Sequence, residues 1–315
     1  MSRGRVLITC PQLQSTIDEH YDRLADSGLE VVLPPVVQQL NEAELLELVP
    51  GVVGIIAGDD EITRAVLGRA DALRIISKWG VGVDNIDIPA AAELGIQVTN
   101  TPRMFGDEVA DVVVGYLVLL ARQLHRLDRS VRAGEWSKPV GVSLANRTLG
   151  VIGLGDIGQA VSRRAFALGM NVIGTDVSQE SARQAEARGL RVVGIATLLS
   201  EADAVSLNCP LTNENWHMID SVAIATMKQG AWIINTARGP LIDERALVQA
   251  LHTGHIGGAA LDVFEVEPLP AESELRRFDN TILGTHNSSN TTEAVRRTSA
   301  QAIENLLAGL AMGGS

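Results

Sequence analysis

The stretch that decides the fold is residues 151–176, VIGLGDIGQAVSRRAFALGMNVIGTD. The apolar run 149–152 has strand composition and stops at a glycine cluster. Gly153, Gly155 and Gly158 spell G-x-G-x-x-G, and helical periodicity continues through residues 160–168. A second apolar run, residues 172–173, ends at Asp176, about 20 residues beyond the glycines. Strand, tight turn, helix and strand follow from that order. Gly153 permits the turn, Gly155 lets the backbone approach a pyrophosphate, and Gly158 lets helix and strand pack closely. A helix starting near Asp156 and Ile157 would offer unpaired N–H groups and a positive dipole end to phosphates. Asp176 would accept hydrogen bonds from ribose hydroxyls and repel a 2′-phosphate, favouring NAD over NADP. Three glycines alone could be a structural turn. The flanking strand, helix and acid make the stretch a dinucleotide site.

Working outward, 315 residues suffice for two domains with their own cores. Hydrophobic residues at 46% against charged residues at 20% describe a globular chain, not a disordered one. The formal net charge of −12 argues against nucleic acid or an anionic membrane as partner. Cys10 and Cys209 form no CxxC, and no histidine cluster has metal-ligand spacing, so no metal is expected. Both cysteines read as buried thiols. The apolar run before Cys10 and Pro11 is too short for a signal peptide, and the longest apolar stretch, residues 112–121, is too short for a bilayer. A cytoplasmic location is expected.

Short β-rich apolar runs at 5–9, 29–33, 52–57, 73–77 and 96–99 alternate with helix-like segments at 15–27, 42–48 and 62–67. After Asp176 the alternation resumes, with strands at 204–208, 232–235, 258–261 and 281–284 and helices at 178–188 and 244–251. A closing helix is expected at 291–307. The fold class is therefore α/β, with two doubly wound parallel sheets. Residues 106–129 read as one long helix, apolar nearly all round, of the kind buried between domains or subunits. Residues 134–143, with Trp136 and Pro139, read as an irregular arm. KWGVGVDNID at 78–87 follows a strand, and its Gly80 and Gly82 can expose amides to a carboxylate. An ordinary turn explains the two glycines equally well.

Three residues after consecutive strands of the second half carry the chemistry: Arg238, Glu267 and His286. Reducing a 2-oxo acid needs a cation for the carboxylate, a proton donor for the carbonyl oxygen, and a group that keeps the donor charged. Arg238 can grip a carboxylate with a planar fork. His286 can exchange a proton near neutral pH. Glu267 beside it would favour the imidazolium and fix its tautomer. Each residue alone is more often a surface or capping group; their shared placement is the argument.

With these motifs in order, the chain resembles the D-isomer-specific 2-hydroxyacid dehydrogenase family, in its phosphoglycerate-dehydrogenase-like branch. GVGVDNID, FGDEVAD, GLGDIG, PLT, NTARG, GAALDVFEVEP and the histidine after the last strand carry the likeness over nearly the whole sequence. The resemblance implies a flavodoxin-like substrate domain, residues 1–99 completed by 289–315, and a Rossmann NAD-binding domain, residues 100–288. It implies that Arg238, Glu267 and His286 are catalytic. Gly153, Gly155, Asp156, Ile157, Gly158, Asp176, Cys209, Pro210, Thr212, Thr236, Ala237, Arg238, Asp262 and His286 would line the cofactor, with Asp262 near the nicotinamide carboxamide. Lys78, Gly80, Val81 and Gly82 would border the substrate together with Arg238 and His286. It also implies a homodimer formed through the helix that begins near Glu108, acting on a small 2-hydroxy or 2-oxo acid.

Three departures bear on specificity. Asn287, Ser288, Ser289 and Asn290 stand where the family has an apolar residue and small glycines or alanines, so this side of the site is expected to be more polar. Arg103 replaces a residue that is often glycine or asparagine and adds a cation that can hold a second anionic group. The sequence stops at Ser315, without a regulatory extension. A phosphorylated or otherwise dianionic acid such as 3-phosphoglycerate is thus one candidate substrate. Two alternatives stand beside a dehydrogenase: a non-enzymatic NAD-responsive protein of the corepressor type, and a phosphite dehydrogenase. Family formate dehydrogenases carry glutamine where this chain has Glu267.

Overall fold

The computed structural model describes residues 4–312. The chain divides into two compact units, one running to Met104 and resuming at Asn290, the other spanning Phe105–Ser289.

The first unit is a five-stranded parallel sheet in the order β2-β1-β3-β4-β5. Its strands are β1 (Arg5–Ile8), β2 (Glu30–Val32), β3 (Val52–Ala57), β4 (Ile75–Lys78) and β5 (Gln97–Thr99). Val6, Leu7, Ile55, Ile56, Ile75 and Ile76 are fully buried, as both faces of such a sheet require. Each such side chain contributes on the order of 1.5–3 kcal/mol by leaving water. The order 2-1-3-4-5 is the flavodoxin-like winding. Asn41 caps the helix Glu42–Leu48 through a reciprocal bond pair with Glu44. The helix Thr292–Met312 returns to this unit, where the Ser77 hydroxyl donates to Ala302 O at 2.8 Å.

The second unit is a seven-stranded parallel sheet in the order β12-β11-β10-β9-β6-β7-β8. The strands are β6 (Thr148–Ile152), β7 (Asn171–Thr175), β8 (Arg191–Val192), β9 (Ala204–Leu207), β10 (Ala231–Asn235), β11 (Ile256–Leu261) and β12 (Thr281–Leu283). From β6 the chain winds outward through β7 and β8, then returns to β9 on the other side. The crevice between β6 and β9 is the topological switch point, where such sheets bind ligands.

Several expectations need correction. The helix expected over 106–129 is two: Gly106–Arg122 and Leu124–Arg132. Gln123 breaks it with φ 54°, a left-handed conformation that ends the hydrogen-bond ladder. Within the unit, Val113, Leu117 and Leu120 of the first helix are covered, whereas Asp107, Asp111 and Arg122 are exposed. The helix expected over 15–27 is instead two pieces, Ile17–Glu19 and Tyr21–Asp26, preceded by the short helix Pro11–Gln14. β8 and the helices Ile88–Glu93, Ile195–Glu201 and Ser221–Thr226 had no sequence expectation. Residues 313–315 of the expected C-terminal segment lie outside the described residues.

Candidate active site

The glycine turn leaves β6 at the switch point. Gly153 has φ 91°, and a Cβ there would stand 2.7 Å from Asn208 C and Cys209 N, so only glycine fits. A Cβ on Gly158 would collide with Gly153 O, which sets the helix Asp156–Ala167 hard against the turn. Gly155 is the opposite case. It precedes the helix without a side-chain cap, and nothing lies within 4 Å of the place a Cβ would take. The first-turn amides are therefore open to approach, which suits a diphosphate. The exposed Asp156 carboxylate lies so close to Gly106 that a Cβ on Gly106 would strike it. Ile157 is half-buried against the core.

Asp176 stands immediately after β7. Its Oδ2 accepts from Leu154 N at 2.6 Å and its Oδ1 from Ser178 N at 2.7 Å, so the carboxylate is held at the mouth of the turn. Across the switch point, Cys209 follows β9, and burial pushes its thiol up to about 11, so it remains protonated at neutral pH. Asn215 folds the following loop back by donating to Pro210 O at 2.8 Å and accepting from Thr212 N at 2.7 Å. Thr236 Oγ1, after β10, is buried with no hydrogen-bond partner. An orphaned hydroxyl on this rim, with the open Gly155 cradle, fits a bound dinucleotide.

Arg238, Asp262 and His286 come from the ends of three adjacent strands, β10, β11 and β12. Asn235 shapes the first of these loops: its Oδ1 accepts from Ala237 N at 3.0 Å and its Nδ2 donates to Arg238 O at 2.7 Å. A Cβ on Gly239 would overlap the Phe264 and Glu265 backbone, so glycine there lets the Arg238 loop lie directly on the segment leading to Glu267. Glu267 Oε1 accepts from Phe264 N at 2.9 Å. Its Oε2 lies 2.8 Å from His286 Nδ1, a pairing that places the Nδ1 proton toward the carboxylate and leaves Nε2 as the nitrogen for proton exchange. Nearby, burial and the charges on Glu265 and Glu267 push the Glu244 carboxyl up.

The remaining expected site residues belong to the first unit. Lys78 is only 2% exposed, and its Nζ donates to Gly58 O at 2.6 Å and pairs with Asp59 Oδ1 at 2.8 Å. The Gly80 amide donates to Thr101 Oγ1 at 2.9 Å. Val81 is exposed and Gly82 half-buried. Arg103 is exposed with φ 60°.

Among the described residues one cluster has metal-ligand character: His217, Asp243 and Glu265, with ligand-type atoms within 4.8 Å of one another. Its carboxylates are already engaged. Asp243 caps the helix Glu244–His252 through Arg245 N and Ala246 N, and Glu265 Oε1 accepts from Glu244 N. Sequence reasoning missed this cluster, the loop-shaping Asn235, and the contacts of Gly239. NTARG and DVFEVEP were the only signals for them, since the partners lie far apart in the chain.

A parallel sheet with a glycine turn at its switch point, an acid after the next strand and an imidazole–carboxylate pair on its far strands defines a dinucleotide-dependent oxidoreductase. The family model for the D-isomer-specific 2-hydroxyacid dehydrogenase NAD-binding domain matches residues 114–288. Relatives agree. A glyoxylate reductase of Thermofilum pendens is 40% identical over 79% of this chain and 75% of its own. A D-3-phosphoglycerate dehydrogenase of Methanocaldococcus jannaschii is 43% identical over 81% of this chain, which spans about half of that relative (49%). The crystal structure of an Aquifex aeolicus D-lactate dehydrogenase with NAD and lactic acid has a TM-score of 0.85 and 27% identity, covering 96% of this chain and 94% of that one.

The chain belongs to the D-isomer-specific 2-hydroxyacid dehydrogenase family, and it is an enzyme with NAD as its cofactor.

Proposed function

We propose that the protein interconverts a small 2-oxo acid and the corresponding D-2-hydroxy acid, with Arg238, Glu267 and His286 as its catalytic set. The pairing of His286 Nδ1 with Glu267 Oε2 at 2.8 Å, on the strand-end rim that also carries Arg238, supports this reading most directly. A nicotinamide dinucleotide held there would supply or accept the hydride at C2. Arg238 pairs with the substrate carboxylate through two parallel N–H bonds. In reduction, His286 Nε2 gives its proton to the carbonyl oxygen as that oxygen gains charge; in oxidation it takes the hydroxyl proton. Glu267 orients the ring and balances the imidazolium charge. The open Gly155 cradle, the Thr236 hydroxyl and Asp176 are the residues that would hold the dinucleotide.

Glyoxylate, phosphoglycerate and lactate enzymes all occur among the relatives, which supports a short 2-hydroxy or 2-oxo acid as the substrate. The exposed Arg103 favours an acid with a second anionic group. The test is NADH oxidation against a panel of 2-oxo acids that includes phosphorylated, phosphono and sulfo analogues, with wild type and Arg103→Ala. Activity on the panel, with R103A losing more on dianionic than on monoanionic acids, is expected. No turnover of any 2-oxo acid overturns the function, and equal loss on both classes removes Arg103 from specificity.

A further inference from the structure

His286 sits in the left-handed region, φ 53°, a conformation uncommon for non-glycine residues. The determinant comes from the neighbouring strand end. Asp262, immediately after β11, accepts the His286 N–H at its carbonyl, 2.7 Å away. Its carboxylate reaches around the same turn and accepts twice from Ser288, from the amide at 2.8 Å and from the hydroxyl in a shorter contact. Both bonds fall on Oδ2, so the carboxylate plane is fixed and Oδ1 keeps one orientation. Asp262 is 3% and Ser288 6% exposed, so water does not compete for these bonds.

The floor of this turn is equally constrained. A Cβ on Gly284 would collide with Asp262 Oδ1 and stand 2.8 Å from the Tyr116 hydroxyl. Burial, with the Asp262 charge, pushes the Tyr116 phenol above its ordinary range, so the ring remains neutral beneath the carboxylate. Ser288 lies in the Asn287–Asn290 stretch that departs from the small, apolar pattern of the family. Alanine or glycine there would keep the amide bond and lose the hydroxyl bond.

We propose that Ser288 is a positioning residue for hydride transfer: its hydroxyl clamps the Asp262 carboxylate, which holds the His286 turn left-handed and fixes how Asp262 meets the nicotinamide carboxamide. This rests on the reading that the nicotinamide lies against Asp262 and His286. A hydrogen bond to a buried carboxylate is among the stronger ones in a protein, and a small displacement of a proton donor is costly to the rate.

The experiment compares wild type with Ser288→Ala in two measurements. Calorimetry gives the affinities for NADH and for 3-acetylpyridine NADH, in which a methyl group replaces the carboxamide amine. Steady-state kinetics give kcat and KM for the 2-oxo acid that wild type reduces best. S288A is expected to lose about ten-fold in kcat with KM for the acid little changed, as expected for loss of one charge-assisted bond. It is also expected to bind NADH several-fold more weakly while holding the acetylpyridine analogue as wild type does. Wild-type values throughout, or equal losses with both cofactors, overturn the clamp. Ser288→Gly serves the same comparison if S288A does not fold. A wild type that favours NADH over the analogue yet reduces no 2-oxo acid sinks the functional reading, and the affinity comparison still decides the clamp.

Discussion

Leu154 donates its backbone N–H to Asp176 Oδ2 at 2.6 Å, tying the middle of the glycine turn to the acid after β7. With Ser178 N on the other oxygen, the carboxylate is fixed before any ligand arrives. Such a carboxylate can accept from two ribose hydroxyls and repels a 2′-phosphate. The next residue, Val177, is fully exposed and brings no cation, and Arg183 is paired with Glu180.

Catalytic efficiency with NADH is therefore expected to exceed that with NADPH by well over ten-fold. Asp176→Asn keeps one acceptor and removes the charge, and should narrow the ratio by about ten-fold, the value of one charge-assisted hydrogen bond. Equal efficiencies in wild type would refute the role of Asp176.

A homodimer is the second expectation. Beyond the break at Gln123, the helix Leu124–Arg132 and the arm after it present Leu124, Val131, Trp136 and Val140 to solvent, with Trp136 at 79% and Val140 at 92% exposure. Val112, Val114, Val118 and Leu119 of the preceding helix are only half-covered. We propose that a second copy of the chain covers these apolar side chains. Sedimentation equilibrium should show a dimer at micromolar concentration, and Trp136→Glu should weaken it by about 30-fold or more, as for a buried aromatic anchor. A monomeric wild type would remove the proposal.

How much of this was legible in the sequence follows from how local each determinant is. The residues 151–176 motif works through neighbours a few positions apart, and its turn, helix and acid appear where the spacing put them. Strand interiors such as Val52–Ala57 announce themselves by composition, because both faces are buried. The break at Gln123 did not, because nothing in glutamine's chemistry marks a left-handed residue inside an apolar helix. β8 has two residues and too little pattern to read. The positioning contacts were invisible for another reason. Asp262 with Ser288, and Gly239 with Phe264, meet only after separate strands have paired in one sheet.

Asp203 links stability to pH. Burial alone would push its carboxyl up, but the Thr148 amide, Lys228 and Arg147 together hold it below the ordinary aspartate range. The bonds are 2.8 Å from Thr148 N and 3.1 Å from Lys228 Nζ. A depressed carboxyl stabilises the fold above its unfolded-state value, about 3.9, and this is lost as pH falls through the lower native value. Asp203→Asn should therefore unfold at a temperature about 3–6 °C below wild type at neutral pH, for a loss of about 1–2 kcal/mol. The gap should hold down to about pH 4 and close below it. A gap independent of pH in calorimetric scans would show that the charge is not what matters.

The last prediction concerns Glu267 and His286. Reduction needs the imidazolium, because His286 must give a proton to the developing alkoxide; oxidation needs the neutral ring, because it must take one. The Glu267 carboxylate, 2.8 Å from Nδ1, stabilises the charged ring over the neutral one. Glu267→Gln keeps a hydrogen-bond partner at Nδ1 and removes the charge, so the ring loses its proton at a lower pH than in wild type. The alkaline fall of reduction should move toward acid, and so should the rise of oxidation. At neutral pH, E267Q should then be impaired in reduction more than in oxidation. Replacing the ring itself, as in His286→Gln, should cost about 10²–10⁴-fold in both directions, because the proton donor and acceptor is removed. The measurement is kcat/KM against pH in both directions for wild type and E267Q. Coincident profiles would show that Glu267 holds the ring without setting its charge, and the carboxylate would keep only its orienting part.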